Sequence, residues 1–562
     1  MTRTICYAVI VIVIALHFAY ILHFSVNFPY LDDFLLIQFI EAITRADASF
    51  ADVLGELFKT CNDHKPVIPR LLSWLDFALT GHLHFRFYIL VTSLNLLYIF
   101  GFFYRLFGKL GLPVYYFLPV PFIFFQPLYH EVSGWALTGL QHSFLTAFLV
   151  TAISLAQRDS MQAFYGAMCC CLLATYTHGN GIFSFAAVVC YYVCMRDLGK
   201  AGATMGFMML ALGLYLLGYE PGQAAQAPSG VLPVLLSFIC FIGSGLALWN
   251  DPSWWAGIGG GVALTFMLVT FRSVLKREYR LVKPVTASLL SIFLFILITG
   301  LVIATVRSWA GTIVASRFQL YGVMVIILVY LLALDRLRWL RRPRFVYGVT
   351  AASVCYCVYA YYLYTGTVAT KKAAYEADIY NWKNNHRMFS VDRSFIRNAG
   401  FYLLPACRSG IVQLPVPLVS KSELEKLFET HATSRTAYRI YLSHWNIRRL
   451  KPALPDSMVY HFVASDLLPA FPGLLTERFL VLRSCGRGNI FLLPAIPKVE
   501  ARKVIAATGR YYKGGFNTML RTDDLDTGCY DLGLLDVGSN GKRNFYRLDK
   551  ALDVKAGKLT LL

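Results

Sequence analysis

Charged residues are scarce in this chain. Asp, Glu, Lys and Arg make up 15% of its 562 residues, 57% are hydrophobic, and the mean hydropathy is +0.54. An ordinary soluble domain carries roughly a quarter charged residues. One hydrophobic core cannot absorb this much apolar surface, so lipid must cover the rest. Acidic residues are the scarcer sign, 32 against 52 Lys and Arg, for a net charge of +20. Most of the excess in the apolar part lies in short loops between apolar runs, where the positive-inside rule puts it. Membrane topology thus accounts for the basic balance, and no nucleic-acid partner is expected.

Other signals are absent too. No small-residue cleavage site follows the first apolar run, Cys6 to Phe24, which is also longer than a usual signal-peptide core, so it reads as an uncleaved signal anchor. No zinc-type CxxC pair occurs: most of the 13 cysteines lie inside apolar runs, Cys169, Cys170 and Cys171 among them, and Cys355 and Cys357 are separated by one residue. Cys61, Cys407, Cys485 and Cys529 fall in exterior segments, where a disulfide is allowed, yet no spacing selects a pair. There is no internal repeat or low-complexity tract. Almost no ionisable residue stands in the middle of an apolar run, which argues against a proton-coupled transporter.

What is present is a succession of apolar runs between Cys6 and Tyr364, each of about 17 to 25 residues and so able to cross a hydrocarbon layer of roughly 30 Å. They stop after Thr370. The expected fold is an α-helical polytopic membrane protein of about eleven spans plus a re-entrant or surface helix, residues 1–365. An exterior α+β domain follows, residues 366–562, helical to 478 and β-rich, sandwich-like, over 479–562. Within it the patterning predicts helices over 371–385 and 420–431 and strands over 479–483, 490–493, 502–507, 516–521, 531–535 and 544–548, with a turn at Gly538-Ser539-Asn540-Gly541. This domain would bind the acceptor or a partner protein, or only brace the membrane half.

Loop charges set the topology. Arg3 places the N-terminus in the cytoplasm; the connection Ser25 to Phe85 is then exterior, and between Asn27 and Phe85 it carries eight acidic residues and four Lys or Arg. Arg105 and Lys109, then Arg158, then Arg196 and Lys200 fall in cytoplasmic loops. Gln126 to Gln141, Thr177 to Gly181 and Tyr219 to Gly230 are exterior. Two further crossings at Val231–Trp249 and Trp254–Phe271 would put the basic stretch Arg272 to Lys283 outside. The first of these, glycine-containing and preceded by a Pro/Gly/Ala-rich loop, is therefore read as re-entrant or surface-lying. Arg336 to Arg344 then lies inside and Arg307 to Arg317 outside, and a last span, Phe345 to Tyr364, delivers the C-terminal domain to the exterior.

Polar residues gather at the exterior ends of these runs. Asp32 and Asp33 follow the first span; near a membrane such a carboxylate can act as a general base or hold a divalent cation, while the competing reading is an N-cap for the apolar run Phe34 to Ile40. His64, Lys65 and Arg70 precede the apolar helix Leu71 to Thr80, a pattern suited to a lipid-linked phosphate or to interfacial anchoring. Arg307 and Arg317, with Ser308, Trp309, Ser316, Phe318 and Tyr321, form a third element whose guanidinium groups imply an anionic partner, substrate or headgroup. The turn Trp135 to His142 with Gln141, and the turn Tyr176 to Gly181 with His178 and Asn180, carry the aromatic and hydrogen-bonding groups that line sugar sites. His82 and His84 lack a third placed metal ligand.

Asp32-Asp33-Phe34, His64-Lys65-Pro66 to Pro69-Arg70, Trp135 with Gln141, His178-Gly179-Asn180-Gly181 and Ser316-Arg317-Phe318 together resemble the GT-C superfamily of membrane glycosyltransferases, specifically bacterial members similar to protein O-mannosyltransferases and lipid A aminoarabinose transferases. The resemblance covers residues 1–365 by order of elements. In such relatives Glu-His-Arg is commoner than Asp63-His64-Lys65, and Ser-Arg-Tyr commoner than Ser316-Arg317-Phe318, which leaves subfamily and sugar open. The resemblance implies an enzyme of the bacterial inner membrane that moves a sugar from a polyprenyl-phosphate donor to a lipid, glycan or protein acceptor on the exterior face. It implies inversion, with Asp32 or Asp33 as the base, His64, Lys65, Arg70, Arg307 and Arg317 on the donor phosphate, Trp135, Gln141, His178 and Asn180 on sugar or acceptor, and a divalent metal as optional. A transporter or flippase of lipid-linked sugars and a non-catalytic envelope-assembly protein are the rival classes.

Overall fold

The computed structural model describes residues 2–220, 230–248, 254–276, 282–390, 399–432, 440–446, 458–464, 476–486, 488–521, 524–538, 540–555 and 558–562. The core of the expected loop Tyr219 to Gly230, the end of the expected segment at Trp249, the middle of the basic stretch Arg272 to Lys283, and Ser539 lie outside the described residues. The chain is mostly helical, with β-sheets confined to its C-terminal part. It separates into two compact units: Met1–Ser25, Asp32–Tyr364 and Gly410–Val412 in the first, Val26–Leu31, Thr365–Ser409 and Gln413–Leu562 in the second.

The helices of the first unit are α1 Arg3–Phe24, α2 Phe34–Ile43, α3 Phe50–Phe58, α4 Val67–Thr80, α5 Phe85–Gly108, α6 Pro119–Phe124, α7 His130–Gly134, α8 Ala136–Ala156, α9 Met161–Thr175, α10 Phe183–Met195, α11 Leu198–Leu216, α12 Val231–Ile242, α13 Trp254–Leu275, α14 Pro284–Arg307 and α15 Ser316–Arg336; α16, Pro343–Asn385, begins in it. Among the described residues, eight helices (α1, α5, α8, α11, α13, α14, α15 and α16) are long and apolar enough to cross a membrane, and α9, α12 and Gly179–Met195 are shorter apolar helices. They are apolar on every face. Leu96, Leu149, Ile292 and Leu328 are fully buried in one shared core, while Val11, Leu94, Met209 and Val262 face outward, as helices in contact with lipid require.

Three sequence-based expectations change here. The segment between Lys109 and Gln126, expected as one span, is broken into a 3-10 turn at Val114–Phe117 and the six-residue α6, because Pro113, Pro119 and Pro121 interrupt the hydrogen-bond ladder. The expected exterior loop Gln126–Gln141 is largely helical: α7 and then α8 begin inside it, so Gln141 lies on a helix. The last span and the helix expected over 371–385 are one 43-residue helix, α16.

Helix α12 has 12 residues, about 18 Å at the α-helical rise, too short to cross alone. Glycines let it pack closely: a Cβ on Gly243 would sit 1.9 Å from the Ala256 carbonyl, and one on Gly245 2.6 Å from the Gly322 backbone. Beyond Gly243 the backbone leaves the helix, and its carbonyls are covered by side chains. Gln319 donates to Ser244 and Ala247, Tyr356 to Gly245, and Tyr364 to Ala247 and Leu248, which satisfies irregular backbone away from water.

The second unit adds helices α17 Lys421–Thr430 and α18 Arg502–Thr508, and strands β1 Ile440–Asn446, β2 Met458–Ala464, β3 Thr476–Ser484, β4 Ile490–Pro494, β5 Ile496–Val499, β6 Tyr512–Arg521, β7 Gly528–Gly538, β8 Arg543–Lys555 and β9 Lys558–Leu561. They form two antiparallel sheets in the orders β1-β2-β6-β5 and β4-β3-β7-β8-β9. Alternation along β3 decides the packing. Leu480 and Leu482 meet Phe516 and Leu520 of the other sheet, while Phe479 and Val481 meet Ala377, Tyr380, Leu424 and Phe428 of α16 and α17. Asn381 covers the β4 edge, its amide exchanging hydrogen bonds of 2.7 and 2.8 Å with the Leu492 backbone. Two expectations change in this unit. The stretch to residue 478, expected as helical, already holds β1, β2 and the start of β3, because β-branched and aromatic residues such as Tyr441, Trp445, Val459, Tyr460, Phe462 and Val463 fill the first two. The strand expected over 502–507 is instead helix α18: its Ala506-Ala507 segment favours helix, and Gly509 closes it at φ +69°.

Candidate functional site

Two tight turns present the first candidate groups. Leu31, at φ +46°, turns the chain sharply ahead of Asp32 and Asp33, and the two carboxylates take different partners. Asp33 is buried and its Oδ1 accepts the Leu137 backbone N–H at 2.7 Å. It makes no cap bond to its own helix α2. Instead it satisfies an otherwise open donor in the first turn of α8, where the helix dipole also favours a negative charge. Asp32 stays half-buried, accepting one hydrogen bond of 3.0 Å from the Asn62 amide. Burial pushes its carboxyl above the usual range, against the opposing pull of Arg317, of the Asn62 hydrogen bond and of Arg307.

The second turn spans Cys61–His64, which exchange backbone hydrogen bonds of 2.7 and 3.0 Å. Asn62 and Asp63 sit at φ +48° and +65°, a left-handed pair that Asn and Asp tolerate. This turn hands Asn62 to Asp32 and lays the His64 ring on His178, ring centres 3.8 Å apart. Gly179 N–H donates to His64 Nδ1 and Asn180 N–H to His178 Nδ1, each at 3.3 Å. A ring nitrogen that accepts carries no proton, so both imidazoles are neutral with the proton on Nε2. Burial is the main cause: it lowers His64 to about 4 and His178 well below its ordinary value. His142, 5.1 Å from His178, shares a 3.0 Å hydrogen bond with the Tyr321 hydroxyl. The glycines permit the stack. A Cβ on Gly179 would lie 3.0 Å from His64 Nδ1, and one on Gly181 1.9 Å from the Ala174 carbonyl.

Each residue of Ser316-Arg317-Phe318 has a distinct place. Ser316 Oγ donates to the Leu128 carbonyl at 2.8 Å and accepts the Glu131 N–H at 3.2 Å. Arg317 meets Glu131 Oε2 twice at 3.2 Å, through its backbone N–H and its guanidinium. The Phe318 ring lies under both guanidinium groups, 5.2 Å from Arg317 and 5.5 Å from Arg307, with His142 edge-on at 5.8 Å. Arg307 is exposed, and among the described residues no carboxylate closes an ion pair with it. Asp32, Glu131, Arg307, Arg317 and the three stacked imidazoles thus form one electrostatically connected group at one end of the bundle.

Lys65 and Arg70 point elsewhere. Lys65 is buried, with Nζ donating to the Leu217 carbonyl at 2.5 Å beside the Tyr215 ring; burial lowers its pKa. Arg70 is buried and donates to the Leu57 and Lys59 carbonyls at 3.0 and 2.7 Å and to Cys61 Sγ at 3.0 Å. Arg70 braces the 61–64 turn through Cys61, and Lys65 fastens the chain just after it to Leu217. Trp135 is buried at the N-cap of α8, Gln141 stands half-buried further along it, and Asn180 is buried in the 3-10 turn Gly179–Ile182. His84 shares a 2.9 Å hydrogen bond with Asp76. Among the described residues no three His, Cys, Asp or Glu side chains are grouped to hold a metal ion. Sequence reasoning passed over Glu131, although a signal was there: it is the only acidic residue between Asp76 and Asp159.

These arrangements can receive an anion at two guanidinium groups, take a proton at Asp32 and donate hydrogen bonds from neutral imidazoles. No protein-family model, curated protein or solved structure matches the chain.

Proposed function

We propose that this chain is a membrane glycosyltransferase that uses a polyprenyl-phosphate-linked sugar and passes the sugar to a hydroxyl of a lipid, glycan or protein acceptor on the exterior face of a bacterial inner membrane. The observation that carries the reading is that Asp32, from the first loop, lies in the electrostatic field of Arg307 and Arg317, which flank the loop between α14 and α15. Such a neighbourhood joins a proton acceptor to the charge that a phosphate leaving group needs.

In this reading the acceptor oxygen attacks the anomeric carbon as its proton passes to Asp32. The bond from that carbon to the phosphate oxygen breaks, and the polyprenyl phosphate leaves with the electron pair, giving inversion. Arg307 and Arg317 stabilise the charge that develops on the phosphate. Burial raises the Asp32 pKa, which makes the carboxylate a stronger base. Asp33, Lys65 and Arg70 are assigned to positioning, because each is committed to backbone groups. His64 and His178 enter as neutral hydrogen-bond donors toward donor or acceptor oxygens.

The topology that goes with this reading has about eleven crossings, a cytoplasmic N-terminus, α12 with its 3-10 turn as a re-entrant element, and an exterior C-terminal unit. It is tested by replacing the gene with variants and comparing envelope glycans and glycoproteins by mass spectrometry. Asp32→Asn, at normal expression, is expected to remove a sugar modification that Asp33→Asn retains. Retention of every glycan in cells lacking the gene, or full modification by Asp32→Asn, overturns the proposal.

A further inference from the structure

In the second unit the chain leaves β3 at Ser484, which pairs with Tyr530 of β7. The next cross-strand pair is Cys485 and Cys529. Cys485 N–H donates to the Cys529 carbonyl at 3.0 Å, and the two Sγ atoms are 2.8 Å apart, closer than unbonded sulfurs pack. A hydrogen-bonded antiparallel pair holds its Cα atoms about 5.5 Å apart, within the disulfide range. Closing the bond takes a sulfur displacement of under about 1 Å. Cys485 is exposed and Cys529 half-buried, so an oxidant can reach the pair. The remaining described cysteines with exterior positions in the sequence, Cys61 and Cys407, belong to different units.

We infer that Cys485 and Cys529 form a structural disulfide that ties the β3–β4 hairpin to the start of β7 and closes a 44-residue separation. The inference rests on the exterior placement proposed above for this unit, since disulfides persist in oxidising compartments. The oxidant is a disulfide-bearing oxidoreductase or a small-molecule disulfide. A thiolate of the pair attacks one oxidant sulfur, forming a mixed disulfide and releasing the other sulfur as a thiol. The second cysteine, losing its proton, attacks its partner's sulfur and expels the remaining oxidant thiolate. Two thiols are oxidised to one disulfide, and the oxidant's disulfide is reduced to two thiols.

The test uses the full-length protein in membranes, alkylated before lysis and digested with trypsin without reductant. Cleavage after Arg483, Arg487, Arg521 and Lys542 isolates the two cysteines in separate peptides, residues 484–487 and 522–542. The linked pair of peptides is expected in the wild type and absent in Cys485→Ser, in which Cys529 should become maleimide-reactive. The wild type should also lose resistance to thermal aggregation on reduction, by several degrees, whereas the double serine variant should not respond at this site. Two alkylated peptides in place of the linked pair overturn the inference. A membrane-impermeant maleimide on an engineered cysteine in this unit separates the causes. Labelling from outside would mean that the pairing alone is wrong, and protection from it that the exterior placement has failed as well.

Discussion

Arg478 and Arg307 both carry guanidinium groups, yet their surroundings differ completely. In the C-terminal unit Arg478 is fully buried and meets Asp536 with two hydrogen bonds, 2.6 and 2.8 Å. Asp378 in the same unit accepts the Phe389 and Ser390 backbone N–H groups and the Ser390 hydroxyl. At the histidine-lined end of the helical unit, Asp32 has one amide donor and Arg307 rests on an aromatic face. A saturated ion pair holds a fold together, and removing one partner strands a buried charge. Charges left undersaturated contribute little to folding; under the proposed function they are kept for a ligand.

Substitutions can break that contrast. The largest stability effect is expected for Arg478→Ala, a loss of about 3–5 kcal/mol from an unpaired Asp536, read as earlier denaturant unfolding or proteolysis of the C-terminal unit. Unchanged resistance would remove the pair from the structural side of the comparison. Arg307→Ala is expected to leave melting unchanged while slowing glycosyl transfer by about 10²-fold to 10³-fold, the scale of one lost transition-state donor. Lower melting with normal turnover per folded molecule would reverse its assignment.

Asp33→Asn should destabilise by about 1–2 kcal/mol through the lost charge at the start of α8, with transfer per folded molecule retained. A variant that folds normally and has lost transfer would instead make Asp33 the base. Activity should rise with pH through the Asp32 ionisation, at a pH above the ordinary carboxylate value, because the base must be deprotonated and its pKa is raised. Asn62→Ala, lacking a donor that favours the charged form, should move this acid limb to still higher pH; no movement would separate Asp32 from catalysis. The smallest effect concerns His64. Its folded pKa is about 4 against an ordinary 6.5, so over that window the unfolded chain binds the extra proton. Stability therefore falls as pH drops from about 6.5 toward 4 and is complete above it. His64→Gln should flatten this part of the melting-versus-pH curve, and an unaltered slope would place the titration elsewhere.

Much of the fold was legible because apolar runs and breakers act locally. Long helices such as α5 and α14 follow from uninterrupted apolar length, and β3, β4 and β7 from alternation bounded by turn residues. Where the outcome depended on proline spacing or partners from afar, as at 119–124, 502–507 and the early start of α8, local pattern misled. The same division runs through the site. Ser316-Arg317-Phe318, His64, His178 and the adjacent carboxylates were recognisable from residue type and position near the ends of apolar runs. That Asp32 lies in the field of the arginines while Asp33 caps α8 was not, since both carboxylates look alike in the chain.

From composition and order alone came the lipid-facing character, the change of regime after Thr370 and the set of polar residues gathered at run ends, all properties summed over neighbours in sequence. Tertiary structure alone decided which of them are committed to backbone partners, as Lys65, Arg70 and Asp33 are, and which remain available. It also brought in Glu131, set His142 beside His178 and placed Cys485 against Cys529. The physical reason is that hydrogen bonding and electrostatic fields act over a few ångströms of space, and folding makes neighbours of groups separated by tens to hundreds of residues.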